Sequence, residues 1–477
     1  MSSLLILVPL ICVMIINLPP RKIFSKLGFW VALVLSLSQI YSVMTLPLYR
    51  WNSSFEIISS NFKFNLLVDS LSLVMLVSIS IVLLSALLVA RELIRDEKKM
   101  LNFLSLLILL QAGMNAVCVI TDIFSLYVFI EIISVISFIL IAFNKDRDAF
   151  EAAFKYIVLS AVATMFMLAS IALFLLIAGD TSFMSIKAGL ADSQHSLIIM
   201  FGVGIFICGL FIKGGVMPFH GWLVDAYSSA PNSVSIMLAG IITKTVGIYT
   251  LIRLVSLVFG FDSAARNVLL ALGALSIVGG ALAALGQNDF KRMLSYSSIS
   301  QVGYIIIGLG CGSLLGVAGA VFHLFNHSIF KSLLFVNSAA VESQAKTRDM
   351  DKICGLAEKM PLTATTSVIA TLSAAGVPPF AGFWSKFLII LALWISGYHA
   401  YAIIAILASV LTLSYLLTMQ RKIFLGKLTS ELSNIREAGF GFGFASLILS
   451  FIIVGVGLVF PFIINSFLVP FWNFLGV

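Results

Sequence analysis

The chain has 477 residues, of which 60% are hydrophobic and only 10% are charged. A soluble domain carries about 25% charged residues, so a water-soluble fold is excluded and lipid must surround much of the chain. The formal net charge of +8 does not indicate nucleic-acid binding, because the lysines and arginines are spread over short loops and form no basic domain.

Apolar runs near 20 residues recur along the whole chain, and about 20 apolar residues cross the roughly 30 Å hydrocarbon core as a helix. Only helices and closed barrels satisfy their backbone in lipid, and these runs are too long and continuous for barrel strands. We therefore predict an all-α polytopic membrane protein. About fourteen spans, numbered in chain order, are expected at 4–18, 29–46, 66–89, 101–120, 123–143, 154–178, 196–217, 232–258, 267–285, 293–310, 314–337, 362–395, 401–420 and 441–467.

The first apolar segment, residues 4–18, is interpreted as a retained span. A secretory signal would carry basic residues before its apolar region, and here no lysine or arginine precedes Arg21.

Two proline-containing motifs interrupt spans 7 and 12. Residues 215–222 (GVMPFHGW) and 376–383 (GVPPFAGF) are identical at five of eight positions. Spans five apart run in opposite directions, so the similarity predicts two inverted five-helix repeats with a break in each, and paired broken spans point to an ion site. A chance similarity of Gly-Pro breaks is the alternative. The predicted organisation is helices 1–3 in residues 1–100, the repeats in 101–258 and 267–424, and helix 14 in 425–477.

Lysine and arginine concentrate in the loops that follow odd-numbered spans. Cytoplasmic loops carry this excess, which places the odd-numbered loops in the cytoplasm. We therefore expect a multi-pass protein of the cytoplasmic (inner) membrane of a prokaryote, with both termini outside.

Four lysines and one glutamate lie well inside the predicted spans, and two histidines share a helix face with one of these lysines. A charge at the bilayer centre costs roughly 2.5–3.5 kcal/mol, so such residues face the protein interior and usually have a function. The candidate proton-transfer residues are Glu131, Lys213, Lys244, His323, His327, Lys331 and Lys386. His220 and Asp225, just after the first break, are auxiliary candidates.

This set suits proton transfer. Burial disfavours the charged form of a lysine, whereas a carboxylate partner favours it, so a Glu131–Lys213 pair that opens and closes could release and bind a proton. Histidine titrates near neutral pH and is a natural relay between lysines. Lysine cannot coordinate a cation, and Na⁺ would need carboxylate or carbonyl oxygens. The predominance of basic residues therefore favours H⁺, with Na⁺ left open.

Structural roles remain open for each candidate. Glu131 could only neutralise a lysine, and the lysines beside the breaks could extend to the membrane surface. His323 and His327 could be core histidines or a metal pair, although no carboxylate lies beside them in the sequence. His220 and Asp225 could simply cap helices. Glu151 and Lys155, at i and i+4, are interpreted as an ordinary ion pair at an interface.

No cofactor or metal site is expected in this chain. The five cysteines are isolated, which argues against iron–sulfur ligation and a disulfide framework. The glycines at 308, 310 and 312 lie in an apolar hairpin, without the strand–helix context of a dinucleotide site. Any redox chemistry would lie in other chains, so whether the protein is part of an enzyme stays open.

Four stretches resemble a known family: residues 213–231, 293–304, 323–335 and 376–386. They are similar to the antiporter-like subunits, found in respiratory complex I (a NADH dehydrogenase), in Mrp-type Na⁺/H⁺ antiporters and in membrane-bound hydrogenases. The resemblance covers roughly residues 60–425. It implies fourteen helices, broken helices 7 and 12, two inverted repeats, and other membrane subunits as partners, including further antiporter-like subunits.

The resemblance also implies roles for individual residues. The family's functional positions fall on Glu131, Lys213 and Lys244 and on a charged residue in helix 12, here Lys386. One complex I member has glutamate at this helix-12 position. Lysine at 386 therefore makes the chain resemble the Mrp D-type and hydrogenase-type branch more than that member. The central relay of the family falls on His323, His327 and Lys331. The chain departs from most relatives at Val224, where they have proline.

Three functions follow as hypotheses. The first is a proton-translocating subunit of a redox-driven complex, of the hydrogenase or complex I type. The second is the D-type component of an Mrp-type Na⁺/H⁺ antiporter. The third is a stand-alone solute carrier or a structural anchor, which the row of internal charges and the lack of a polar pocket-like cluster disfavour.

Overall fold

The computed structural model describes residues 3–18, 21–45, 51–56, 63–192, 196–428 and 432–475. Most of them are helical, as the long apolar runs require in lipid. The first eight α-helices are α1 Leu4–Ile16, α2 Arg21–Thr45, α3 Ser70–Leu93, α4 Glu97–Val119, α5 Ile123–Ile141, α6 Arg147–Ala178, α7 Phe183–Asp192 and α8 Ser196–Gly214. The remaining ones are α9 Gly221–Ser229, α10 Asn232–Met237, α11 Thr250–Leu254, α12 Ser263–Leu285, α13 Phe290–Gly310, α14 Leu314–Ala345, α15 Pro361–Ala375, α16 Ala381–Ile395, α17 His399–Ile423 and α18 Phe440–Leu475.

Ten helical segments within the described residues are long and apolar enough to cross a bilayer. The prediction of an all-α multi-pass membrane protein is confirmed. Each of the fourteen predicted spans overlaps a helix or a pair of helices in the structure. The number fourteen, the inverted repeats and the domain boundaries stay predictions.

Residues 232–259 form one continuous helix, which we call the central helix. It joins α10 and α11 to three π-helical segments, Leu238–Ile242, Lys244–Tyr249 and Val255–Phe259. The apolar core of the central helix is completely buried, whereas less than a third of the apolar core of α6 is buried. The central helix therefore lies in the protein interior, and α6 lies at the periphery.

Both predicted breaks are present. The first helix pair is interrupted between Gly214 at the end of α8 and Gly221 at the start of α9, and the second between Ala375 and Ala381. Gly215 has a φ of +66° and Gly376 a φ of +85°. Glycine adopts this left-handed conformation without steric cost, so each helix ends at its glycine.

Three features differ from the sequence predictions. Two short antiparallel strands, β1 Trp51–Glu56 and β2 Lys63–Val68, pair in register from Trp51 with Val68 to Glu56 with Lys63. Span 3, predicted from residue 66, therefore begins as a helix only at Ser70, where Asp69 caps it by accepting from the Ser72 amide. A short helix, α7, lies in the loop predicted between spans 6 and 7.

Candidate functional site

Lys213 and Glu131 form an ion pair inside the first group of helices. Lys213 Nζ lies 2.8 Å from Glu131 Oε1 and also donates to Ser134 Oγ at 2.9 Å and to Ser160 Oγ at 2.6 Å. The lysine side chain is fully buried, whereas that of Glu131 is 27% exposed. Glu131 also accepts a bond of 2.8 Å from Thr164 Oγ1. The lysine charge is therefore neutralised and fully hydrogen-bonded, as a buried ion pair requires.

Small residues place Lys213 next to the central helix. A Cβ atom on Gly247 would lie only 2.4 Å from the Cα atom of Gly214, which follows Lys213 at the end of α8. Glycine pairs allow membrane helices to approach this closely. The first break and the π-helical segment that begins at Lys244 therefore touch along their backbones.

Lys244 lies in that π-helical segment and is fully buried. Its Nζ donates to the Tyr227 hydroxyl at 3.2 Å and to Thr243 Oγ1 at 3.1 Å, and it lies 5.4 Å from the centre of the Tyr227 ring. Lys244 forms no ion pair with any carboxylate of the described residues. Single π-helical turns often occur at functional sites, which agrees with a role for this lysine.

The predicted central residues occupy one face of α14 and are completely buried. His323 Nδ1 lies 2.9 Å from Ser385 Oγ, on the other broken helix. His327 and Lys331 follow at the next two turns. Lys331 Nζ donates to Ser297 Oγ at 2.6 Å. Ser297 in turn lies 2.7 Å from the Tyr415 hydroxyl. These bonds join α14 to α13, α16 and α17 through polar groups.

Lys386 lies in α16, just beyond the second break, and is 3% exposed. Its Nζ approaches the carbonyl oxygen of Ala375, the last residue of α15, at 3.5 Å. The ammonium group also lies 4.3 Å from the centre of the Tyr304 ring, which lies 5.8 Å from the His323 ring between centroids. A helix C-terminus and an aromatic face both attract a cation. Within the described chain, these weak acceptors replace a carboxylate.

His220 and Asp225 have different surroundings. His220 stands at the N-cap position of α9, but its side chain makes no capping bond, and its buried Nδ1 has no hydrogen-bond partner among the described residues. Asp225 forms ion pairs of 2.8 Å with both Lys155 and Arg292. Neither residue caps a helix with its side chain in the described structure, and their auxiliary role stays a prediction. The predicted Glu151–Lys155 pair is present at 2.7 Å.

A second buried ion pair was not predicted from the sequence. Arg253 lies inside the central helix and binds Asp69, with Nη2 3.0 Å from Asp69 Oδ1, 2.7 Å from Ser72 Oγ and 3.1 Å from the Cys118 carbonyl oxygen. Both charged side chains are 3% exposed or less. Arg253 lies nine residues after Lys244 in one predicted span, and this spacing was the signal that it could not belong to a loop.

The structure thus brings some predicted residues together and leaves others apart. Glu131 and Lys213 are in direct contact, and Tyr304 links His323 to Lys386. Lys244 and Lys331 bind hydroxyl groups, and within the described chain neither forms a hydrogen bond with another predicted site residue. The central helix carries Lys244, and α14 carries His323, His327 and Lys331.

A model of the family described as "NADH:quinone oxidoreductase/Mrp antiporter, TM" matches residues 121–412. The D component of a Na⁺/H⁺ antiporter from Alkalihalophilus pseudofirmus is 30% identical over 87% of this chain and 83% of its own length. The M component of the F(420)H(2) dehydrogenase from Methanosarcina mazei is 32% identical over 80% of this chain and 79% of its own length. The solved Mrp complex of Dietzia sp. contains a chain with the same fold, at a TM-score of 0.91 and 23% identity over 99% of this chain and 96% of that one.

Proposed function

This chain belongs to the NADH:quinone oxidoreductase/Mrp antiporter family of membrane proteins, and on this premise we propose that it moves protons along its buried residues. It does so as an antiporter-like subunit of a multisubunit membrane complex. The observation that carries this proposal is the ion pair between Lys213 and Glu131 beside the first break, matched by the buried Lys386 beside the second.

The proton is held in turn by groups that are charged in one state and neutral in the other. Lys213 is charged while Glu131 is beside it, and an opening of the pair leaves the lysine buried without a counter-ion, so that it releases its proton. Lys244, His327 and Lys331 carry the proton through the protein interior. His323 passes it to Lys386 through the polar contact with Ser385. The proton enters from the cytoplasm near Lys213 and Lys244, and His220 and Asp225 serve as auxiliary groups near this entrance.

The proposal extends to the placement of the chain in its membrane. The loops after odd-numbered spans face the cytoplasm and both termini face the outside, in a prokaryotic cytoplasmic membrane with fourteen spans and two inverted repeats. The excess of lysine and arginine in those loops supports this orientation. A reporter that is active only in the cytoplasm tests this orientation. Fused to the loop at 346–360 or at 286–289, which follow odd-numbered spans, the reporter should give a signal. Fused to the loop at 260–262, which follows an even-numbered span, it should give none.

Two assemblies suit the chain. We propose a redox-driven complex of the hydrogenase or complex I type, in which other subunits carry the electron-transfer chemistry and further antiporter-like subunits are neighbours. The name of the M. mazei relative supports this. The alternative is an Mrp-type Na⁺/H⁺ antiporter with this chain as its D-type component, which the name of the A. pseudofirmus relative supports.

The test is ion movement by the purified complex in liposomes, with Na⁺ present or absent and with a protonophore as control. A proton gradient that forms without Na⁺ and collapses with the protonophore supports proton transfer driven by the complex. Movement of H⁺ only against a Na⁺ gradient supports the Mrp-type assembly. The absence of any proton movement in both conditions contradicts the proposed function.

A further inference from the structure

A stripe of hydroxyl groups follows one face of α15, the half-helix that precedes the second break. Thr363, Ser367 and Thr371 are spaced at four residues, so they lie above one another at steps of about 6 Å. The next position of the stripe is Ala375, whose carbonyl oxygen is the hydrogen-bond partner of Lys386. All three hydroxyl residues are at most 4% exposed.

A polar side chain from the neighbouring helix α17 bridges two residues of this stripe. Gln420 on α17 donates from Nε2 to Ser367 Oγ at 2.6 Å and to Thr371 Oγ1 at 2.9 Å. Its Oε1 is buried and has no hydrogen-bond partner among the described residues. An acceptor of this kind in a membrane interior is usually satisfied by water.

A second polar group contacts α15 at Thr366, next to the stripe. Asn337 on α14 accepts bonds from Thr366 at 3.2 Å and from Ser446 at 3.1 Å, while its buried amide nitrogen is unsatisfied within the described chain. The neighbouring Ser338 hydroxyl is also buried and has no hydrogen-bond partner among the described residues. Polar atoms of α14, α17 and α18 therefore surround those of α15.

The stripe begins at a carboxylate. Glu437, in the segment before α18, accepts from the Leu362 amide at 2.9 Å and from the Thr363 hydroxyl. This glutamate is partly exposed. It lies in the loop after span 13, which the proposed orientation places in the cytoplasm, so the stripe connects that side to Lys386.

The corresponding face of the first repeat is apolar. At the offset of 161 residues that relates the two motifs, Thr363, Ser367 and Thr371 fall on Gly202, Phe206 and Leu210 of α8. A hydroxyl stripe is therefore no requirement of a half-helix in this fold. Its presence beside Lys386, and not at the matching positions of α8, indicates a function specific to the second break.

We propose that Glu437, Thr363, Ser367, Gln420 and Thr371 line a water-filled proton entry from the cytoplasm to Lys386. The inference rests on the proposed function and adds to it a second entrance, separate from the one at Lys213. Hydroxyl and amide groups do not titrate here, but they orient water molecules, along which a proton passes by successive hydrogen-bond exchange. One or two water molecules bridge each step of about 6 Å.

Cysteine labelling tests this path without requiring ion pumping. Thr371→Cys and Ser367→Cys are introduced into the assembled complex, in a parent whose five native cysteines are replaced by serine or alanine. Each is treated with a charged, membrane-impermeant thiol reagent in inside-out vesicles and in right-side-out vesicles. The matched control is Ala370→Cys, because Ala370 lies at the same depth, is fully buried and lies off the stripe.

Both stripe cysteines should react from the cytoplasmic side at least about tenfold faster than Ala370→Cys, since only a hydrated thiol forms the reactive thiolate. Adding Gln420→Leu, which places an apolar side chain in the path, should lower the Thr371→Cys rate to that of the control. Reaction at the control rate in both stripe variants, or reaction from the outside alone, overturns the proposal.

The labelling result and the proposed function can fail separately. Rapid cytoplasmic labelling in a complex that moves no protons leaves the entry path standing and removes the relay. Slow labelling in a complex that pumps normally leaves the relay standing and removes this entrance. If Thr371→Cys does not assemble, Ser367→Cys, one turn nearer to the cytoplasm, gives the same comparison.

Discussion

The two breaks have similar sequences and similar backbones, but their lysines have different partners. Lys213 is held by a carboxylate and two serine hydroxyls, all within 2.9 Å. Lys386 has a carbonyl oxygen at 3.5 Å and the face of a tyrosine ring. The first site therefore favours a charged lysine, and the second gives a charged lysine much weaker support.

The shared fold therefore determines where each lysine lies, and the surrounding side chains determine how well its charge is compensated. A charge inside a membrane protein needs compensation, and among the described residues only the first break supplies its lysine with a full negative charge. In the proposed relay, Lys213 is the site where a proton is retained until the pair opens. Lys386 releases its proton easily, because its charged form has only weak partners, and it can take up a proton again from water.

Removing the carboxylate should make the first break similar to the second. Glu131→Gln leaves Lys213 buried without a counter-ion, and breaking a buried pair by removing one partner costs about 3–5 kcal/mol. We expect proton movement by the liposome-reconstituted complex to fall by at least about tenfold. Thr164→Val is the control, because it removes the other hydrogen bond of Glu131 but keeps the charge. Normal pumping by Glu131→Gln would show that the pair is only structural.

Equivalent glycines in the two motifs should differ in their tolerance of a methyl group. A Cβ atom on Gly382 would lie 1.9 Å from the carbonyl oxygen of Ser373, whereas one on Gly221 would meet nothing within 4 Å. Gly382→Ala should therefore destabilise the protein by up to about 3 kcal/mol, because the clash is with backbone. Gly221→Ala should have little effect. The thermal stability of the purified complex measures both, and equal stability of the two variants would contradict the described packing.

The smallest effect is expected from the hydroxyl partners of Lys213. Ser160→Ala removes the 2.6 Å bond to the ammonium group but leaves the pair with Glu131 intact. A hydrogen bond to a charged group contributes about 1.5–3 kcal/mol, and we expect a several-fold slower proton movement with unchanged assembly. Ser170→Ala is the control on the same helix, since the Ser170 hydroxyl donates to the Phe166 carbonyl of its own turn. A loss as large as that of Glu131→Gln would show that the carboxylate has no special part.

The sequence predicted what depends on local composition. Apolar runs identified the helices, and the Gly-Pro motifs identified both breaks, because these signals lie within short stretches of chain. Buried charges were also visible, since a lysine such as Lys244 stands alone in an apolar run. The β1–β2 pair was missed because its first strand, Trp51–Glu56, is a polar segment between spans.

Contacts between distant residues could not be derived in the same way. The serine partners of Lys213 are 79 and 53 residues away, and Asp69 lies 184 residues from Arg253. Only the packing of helices decides which polar side chains meet. The same holds for Gln420, whose bonds to α15 span about 50 residues of chain and whose importance appears only beside the hydroxyl stripe.

The most direct test of the proposed relay is proton translocation by the complete complex in liposomes, with Lys213→Ala and Lys386→Ala compared with the parent. We predict that each variant assembles in normal amount but generates no proton gradient, because each removes the buried lysine that holds a proton beside its break. Full proton translocation by either variant would contradict the relay.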